Sequence, residues 1–424
     1  MTKFLPLIAL LLTALMSDAQ EKCKAATMQA IRLHNDPALE ARRQAIEQYT
    51  HDWVAQHPDG IVSRNLLTIP VVVHVVHAGE AIGTGTNISD AQVLSQIDVL
   101  NRDYKNLNTD SMQSTHPFYP LVGNAGIHFC LASIDTAGNP TTGIDRIDGN
   151  ARFGMPTWPS AAVIDATLKP ATIWAPTKYL NLWVAAFTAG GEDSSTLGYA
   201  TFPENHGTNT DGVVIRPNAF GTLGAVTSNN GGGRTGTHEV GHYLNLRHVW
   251  GDQNCGNDSV ADTPPQVTKN YNCPTFPHNA NNACGSGPNG EMYMNYMDYV
   301  DDLCMIMFSK GQVARMQATL SGSRSSLLAS NACGTTGIND IRYAPQVSVY
   351  PNPAARSINV SVNIPLRNAT IELFNALGQK MMTQDFATTT QVMNLNVSAL
   401  DAGVYSLVVT SEYQKFFAKV ILTK

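Results

Sequence analysis

Positive charge is scarce in this chain: 27 lysines and arginines face 33 aspartates and glutamates across 424 residues, a formal net charge of -6. No basic footprint stands out, so nucleic acid is not expected as a partner. Long apolar runs are lacking too, with one exception at the N-terminus. There Met1-Thr2-Lys3 precedes an apolar stretch from Phe4 to Met16, and Ser17-Asp18-Ala19 sets small residues before a cleavage point after Ala19. That pattern predicts a secretory signal peptide over 1–19, too short and wrongly flanked for a membrane span. A lipobox is missing before Cys23, because Gln20-Glu21-Lys22 is the wrong context, so no lipid anchor is expected. An even cysteine count is missing as well. Seven cysteines leave at least one free or with a special role. Four of them, Cys255, Cys273, Cys284 and Cys304, fall in a stretch poor in apolar residues and rich in Asn, Asp, Gly and Pro. In an exported chain, disulfides can replace the core that such a stretch cannot build.

What is present centres on His238-Glu239-Val240-Gly241-His242. Two histidines four apart on a helix share one face and can share one metal ion, with Glu239 beside them to take a proton from a bound water. His248 follows six residues after His242, which is about 240° further round a continuing helix and away from the metal. The chain must therefore leave the helix between them, and Asn245 suits that turn because Asn tolerates the left-handed conformation. Three imidazoles and an open position describe hydrolytic rather than structural zinc. The glycines Gly231–Gly233 lead toward Thr237, read as the N-cap of this helix. They are not read as a phosphate cradle, since no P-loop lysine follows.

The rest of the chain frames this motif. Residues 20–64 read as a polar, helical pro-segment. Strands are predicted at Ile69–His77, Gly126–Ala132 and Leu180–Phe187, and Ser89-Asp90-Ala91-Gln92 reads as a capping box opening a helix. Alternating strands and helices imply an α/β (α+β) layer with a twisted mixed sheet. The segments Tyr199–Pro203 and Asp211–Ile215 are candidates for an edge strand that pairs with extended substrate. Residues 65–333 form one domain on this reading, 334–344 a linker, and 345–424 a small all-β sandwich with strict alternation at Ile358, Val360, Val362 and Ile364.

His238 to His248, continued by Val249-Trp250-Gly251-Asp252, resembles the zinc-binding motif of the pappalysin-type metzincins, especially their bacterial and archaeal members. Their Met-turn is matched by Asn295-Tyr296-Met297-Asp298-Tyr299. One departure is Asn245, where the family usually has glycine. The tail resembles a second family: Val349-Tyr350-Pro351-Asn352-Pro353 and Ala402-Gly403-Val404-Tyr405 look like the sorting domain of the type IX secretion system. Together these resemblances imply a metzincin-like catalytic domain on a sandwich-tailed, exported protein. Its partners would be protein or peptide substrates and the type IX machinery, with no membrane span and a monomeric state. Its location would be secreted or on the cell surface, reached through the periplasm and outer membrane.

The resemblance also assigns roles. His238, His242 and His248 would hold Zn²⁺, and Glu239 would act as general base on the zinc-bound water. Tyr299 would help bind the oxyanion and Met297 would floor the histidines. Structural Ca²⁺ is implied for the acidic loop, with Asp252, Asp258, Asp262 and Thr263 as candidate ligands. The implied disulfides are Cys255–Cys284 and Cys273–Cys304, where the residues alone allow three pairings. Related enzymes favour Arg or Lys after the scissile bond, which makes Asp301 or Asp302 a candidate pocket carboxylate and Ser63-Arg64 a candidate self-cleavage point. Cys23, flanked by Lys22 and Lys24 that would favour its thiolate, is a candidate zinc ligand of a latent form. In that case Cys130 and Cys333 pair with each other; otherwise Cys23 is bridged to one of them. His74, His77, His206 and His278 are read as structural or solvated. Two rivals to a secreted zinc endopeptidase are an inactive, calcium-stabilised surface adhesin and a processing peptidase dedicated to one partner.

Overall fold

The computed structural model describes residues 21–61, 66–333, 347–362, 367–375, 377–388, 392–410 and 415–423. The signal-peptide stretch 1–19, the Ser63-Arg64 site and the linker 334–344 lie outside them. Strand β1 (Leu67–His77) organises the larger body. Its residues alternate between two apolar layers: Ile69, Val71, Val73 and Val75 join one core, while Val76 joins another with Trp158 and Trp183. A strand buried on both faces is what a helix-covered parallel sheet requires. Along one edge β1 pairs in parallel first with β2 (Ile127–Leu131) and then with β3 (Ile144–Asp148); along the other it pairs with β4 (Leu180–Val184). Beyond β4 the sheet is closed by two short strands, β5 (Gly198–Ala200) and β6 (Val213–Ile215). β6 lies inside, parallel to β4, and β5 is the antiparallel outer strand. Of the two segments considered for the cleft edge, only the first supplies it.

Two long helices precede this sheet, α1 (Ala25–Asn35) and α2 (Pro37–Gln56), the second capped by Asp36 and opened by Pro37. Helix α3 (Asp90–Asp103) starts at Ser89, whose hydroxyl accepts the Gln92 N–H at 3.2 Å. The reciprocal half of the expected capping box is absent. The Gln92 amide instead donates to the carbonyls of Pro217 and Phe220, tying α3 to the loop ahead of the histidine helix. That helix, α4 (Arg234–Tyr243), is wholly buried. Helix α5 (Lys310–Ser321) carries the full capping box, Ser309 with Gln312.

The tail is a separate sandwich. β9 (Arg367–Phe374), β10 (Lys380–Thr388), β12 (Gly403–Thr410) and β13 (Lys415–Leu422) form one antiparallel sheet; β7 (Val347–Tyr350), β8 (Ser357–Val362) and β11 (Val392–Asn396) form the other. Ile358, Val360, Ile371, Leu395, Leu407 and Val409 fill the space between them. Among the described residues, no helix is long and apolar enough to cross a membrane.

Candidate metal centre and cleft

The histidine helix is started by a carboxylate, not by Thr237. Gly233 occupies the N-cap in the left-handed conformation (φ 73°), and Asp302 accepts the N–H groups of Gly232 (2.9 Å) and Arg234 (3.1 Å). A negative side chain across the chain thus satisfies donors that a local cap would otherwise take. Thr237 lies one turn further in and donates to Asp103 at 2.6 Å. Its expected capping role does not hold, because the glycine turn lets the helix begin four residues earlier.

The helix ends on a Schellman turn. Asn245 takes the left-handed conformation at φ 74°, its N–H donates to His242 O (2.9 Å), and the Leu246 N–H reaches Gly241 O (2.9 Å). The chain reverses and brings His248 back to His238 and His242. Their three Nε2 atoms lie 3.1, 3.1 and 3.2 Å from one another. Each outer nitrogen is engaged: His238 Nδ1 with Tyr296 O (2.7 Å), His242 Nδ1 with Leu246 O (2.8 Å), and His248 Nδ1 with the Asp252 carboxylate. With Nδ1 donating, each Nε2 keeps its lone pair for the common point. Three nitrogens ~2.0 Å from a tetrahedral ion stand about 3.3 Å apart, so the donor set fits zinc. Burial, reinforced by the neighbouring imidazoles, holds His238 and His242 well below the usual histidine range, which keeps them neutral ligands.

Cys23 completes the group. Its sulfur and one nitrogen from each histidine fall within 4.8 Å of one another. The residue is buried, unpaired, and 3.4 Å from Glu239 Oε2. The expected source of thiolate does not hold, however. Burial and then Glu239 push the thiol well above its ordinary pKa, and the flanking lysines point away from it. Lys22 donates to Tyr299 O (2.9 Å) and faces Asp301 (3.5 Å), while Lys24 faces Asp193 (3.3 Å). Only a cation at the histidines would favour the thiolate here. The backbone around Cys23 makes a single parallel bridge to Gly198 at the start of β5, with Leu197 N–H donating to Lys22 O (2.8 Å) and Lys24 N–H to Gly198 O (3.1 Å). Gly198 permits this proximity, since a Cβ there would lie 2.8 Å from Glu239 Cγ.

Glu239 is buried, which raises its pKa to about 8. The Tyr299 hydroxyl donates to Cys23 O at 3.1 Å and stays protonated, because burial drives its pKa far up. Met297 lies beneath the helix, and Gly241 leaves it room: a Cβ on Gly241 would approach its sulfur to 2.5 Å. Asp298, which sequence reasoning overlooked, accepts from Tyr299 N, Asn270 N and Gln266 Nε2, and so fastens the Met-turn to the disulfide loop.

The remaining candidates separate. Asp302 caps the helix and Asp301 meets Lys22, beside a small cavity of about 20 Å³ that both His238 and Asp302 border. The four calcium candidates do not converge: Asp252 holds His248, Asp262 accepts from Ser309 and Gly311 at the start of α5, and Asp258 accepts from Thr263 (2.8 Å). Burial lifts Asp258 to about 7. Disulfides join Cys255 to Cys284, Cys273 to Cys304 and Cys130 to Cys333. His74 is a structural residue between Asp145 and Asn181. His206 contacts Asp211 and Ser326, and His278 contacts Asn270, all away from the three-histidine centre.

A mixed sheet whose outer strand borders a His-Glu-His helix, a returning third histidine and a methionine floor defines a zinc metalloendopeptidase of the metzincin type. Residues 165–321 match the family described as pregnancy-associated plasma protein-A, a peptidase family, and 348–423 match the secretion system C-terminal sorting domain. An extracellular metalloprotease of Arthroderma otae is 31% identical over 259 residues, 59% of this chain and 76% of that protein. Mature mirolysin of Tannerella forsythia, solved in complex with a cleaved peptide, is 43% identical with a TM-score of 0.55, covering 63% of this chain and 96% of that one. A promirolysin mutant from the same organism is 38% identical, with a TM-score of 0.60 and coverage of 73% and 97%. The chain belongs to the pappalysin family of zinc metalloendopeptidases and carries a type IX sorting domain, as a secreted or cell-surface protein.

Proposed function

We propose that this chain is a latent zinc endopeptidase in which Glu239 manages the proton of the attacking water and Cys23 closes the metal centre until the N-terminal helices leave. The observation that carries this reading is the convergence of Cys23 on three histidines whose outer nitrogens are all engaged. Zinc bound there polarises the scissile carbonyl and lowers the pKa of water toward ~7. The chain's own groups do the rest. The β5 edge offers Leu197 N–H and Gly198 O to an extended peptide, the groups that Lys22 and Lys24 now use. The Tyr299 hydroxyl, already donating to a backbone carbonyl at the centre, supplies a donor for the developing oxyanion. Glu239 is within reach of the same point and can accept a proton and then deliver it to the leaving amine.

Three finer readings go with this one. Asp301, engaged by Lys22, favours Arg or Lys after the scissile bond. Residues 20–64 act as the pro-segment, with cleavage at Ser63-Arg64 and the catalytic domain running over 65–333; a related pro-form supports a zymogen. Calcium binding rests on Asp258 and Thr263, a buried carboxylate and hydroxyl suited to a hard cation, since Asp252 and Asp262 are engaged elsewhere.

The test is hydrolysis of a diverse peptide mixture by the full chain activated through limited proteolysis. Glu239→Ala and zinc chelation should each reduce cleavage by roughly a hundredfold or more. Correctly cut, zinc-loaded protein that hydrolyses nothing in the mixture would favour the adhesin or the dedicated processing peptidase. Cleavage that survives chelation would remove zinc from the mechanism.

A further inference from the structure

Cys23 sits at the metal centre, and the lysines on either side of it do not return to solvent. Each ends on a carboxylate of the catalytic body. Lys22 reaches Asp301, while Lys24 reaches Asp193 Oδ1 at 3.3 Å. Asp193 belongs to the turn after β4, and its side chain is only 5% exposed. It is held in place from behind, because its Oδ2 accepts the N–H of Ala161 at 2.7 Å. A carboxylate so enclosed, with one oxygen committed to an amide and the other turned to a cation, is a built receptor for a positive side chain.

Residues i and i+2 of an extended strand share a face and lie about 7 Å apart. Lys22 and Lys24 flank Cys23, which bridges Gly198 at the start of β5 before the chain turns into α1 at Ala25, and their side chains mark the places that alternate residues of an extended peptide would take there. The Cys23 carbonyl takes the Tyr299 hydroxyl, so Cys23 stands where the residue just before the scissile bond would stand. Lys22 then marks the first residue after the bond, and Lys24 marks the second residue before it. This order takes Asp301 as the pocket for the residue after the bond, as proposed above, and so a peptide that runs along β5 in the direction opposite to the N-terminal segment, whose own bridge to Gly198 is parallel.

We propose that Asp193 is a specificity residue of the cleft, which selects lysine or arginine at the second position before the scissile bond. The inference rests on the endopeptidase reading above and extends it to the opposite side of the metal centre. When the N-terminal segment leaves, Lys24 departs together with Glu21, its own ion-pair partner at 3.0 Å. Asp193 keeps the Ala161 amide but loses its cation, and an incoming basic side chain replaces it. In the latent form the segment therefore blocks three points at once: the metal, the Asp301 pocket and the Asp193 receptor.

Paired peptides that differ only at that position, lysine against leucine, test the assignment in activated protein. The lysine peptide should have a kcat/KM higher by roughly ten- to hundredfold. Asp193→Asn keeps an oxygen for the Ala161 amide and removes the charge, so it should abolish that ratio. The preference after the scissile bond, measured with arginine against leucine, should be unchanged in Asp193→Asn and weakened in Asp301→Asn. Equal rates for the two peptides with unmodified protein, or a lysine preference that persists in Asp193→Asn, would overturn the proposal. Failure of the endopeptidase reading looks different, because no peptide is then cut. Binding of the same pair to cut Glu239→Ala protein, followed by fluorescence polarisation, still decides the role of Asp193 through the ratio of the two Kd values.

Discussion

Asn245 shows how much one backbone conformation controls at the centre. Its φ of 74° ends the helix and turns His248 back toward the metal, and its carbonyl accepts Arg315 Nε at 2.6 Å. A residue with a Cβ but no local polar group costs about 1–2 kcal/mol in that conformation, whereas glycine costs nothing sterically. Asn245→Ala should therefore lower the urea midpoint by an amount worth about 1 kcal/mol and speed zinc loss to a chelator. Asn245→Gly should match the parent in both. Equal behaviour of Ala and Gly would show that the left-handed turn is not what holds His248. Asp252 illustrates the same economy. Four residues after His248, it holds that ring's Nδ1, a duty that calcium binding would have competed for.

At the scale of elements, Arg324 binds the cleft-forming pieces into one unit. It is fully buried after α5 and pairs with Asp211 just ahead of β6 at 2.8 and 2.9 Å. It also donates to Tyr243 O at the end of the histidine helix (2.7 Å) and lies over the Tyr243 ring. Burial by itself would raise the Asp211 pKa, but Arg324 and His206 overcome it and hold the carboxyl at about 2. The folded value lies below the ordinary 3.8, so the stabilisation is complete above about pH 4 and is lost as pH falls toward 2. That difference is worth about 2 kcal/mol. Asp211→Asn should remove this part of the acid limb of a stability-against-pH curve. It should also cost about 3 kcal/mol at pH 7, because Arg324 would then be buried without its anion. An unchanged acid limb in the variant would place the titration elsewhere.

On the scale of the whole molecule, the N-terminal segment is held to the catalytic body by several contacts. Besides Cys23, the N-terminal helices are fastened by Arg32 to Asp165, Gln29 to Glu204, Arg42 to Glu204 O, and Glu47 to Arg315. Burial opposes the charge on Glu47, yet Arg315 keeps its pKa below the ordinary range, so this last anchor persists at neutral pH. Cys23→Ala in the uncut chain should open the metal centre and raise peptidase activity above the parent zymogen. Activity should still fall short of that of the cut enzyme, because the helices continue to cover the cleft. No rise at all would mean that the thiol is not the latch. The sorting-type sandwich has its own two-sheet core.

Local pattern was enough for everything that depends on neighbours in sequence. The helical spacing of His238 and His242, the need for a turn before His248, the β1 strand and the alternating tail strands all follow from periods of 3.6 and 2. The family resemblance added the Met-turn and two disulfide pairings. Tertiary structure decided what depends on groups far apart in the chain. Asp302 took the cap that Thr237 was expected to provide because the fold set its carboxylate against Gly232 and Arg234. The lysines beside Cys23 gave up the thiolate for Asp301 and Asp193, which lie 279 and 169 residues further along. Cys130 met Cys333 across 203 residues, and Arg324 found Asp211 across 113. Periodicity governs which face a side chain shares with its neighbours. Only the closed fold determines which charge waits on the other side.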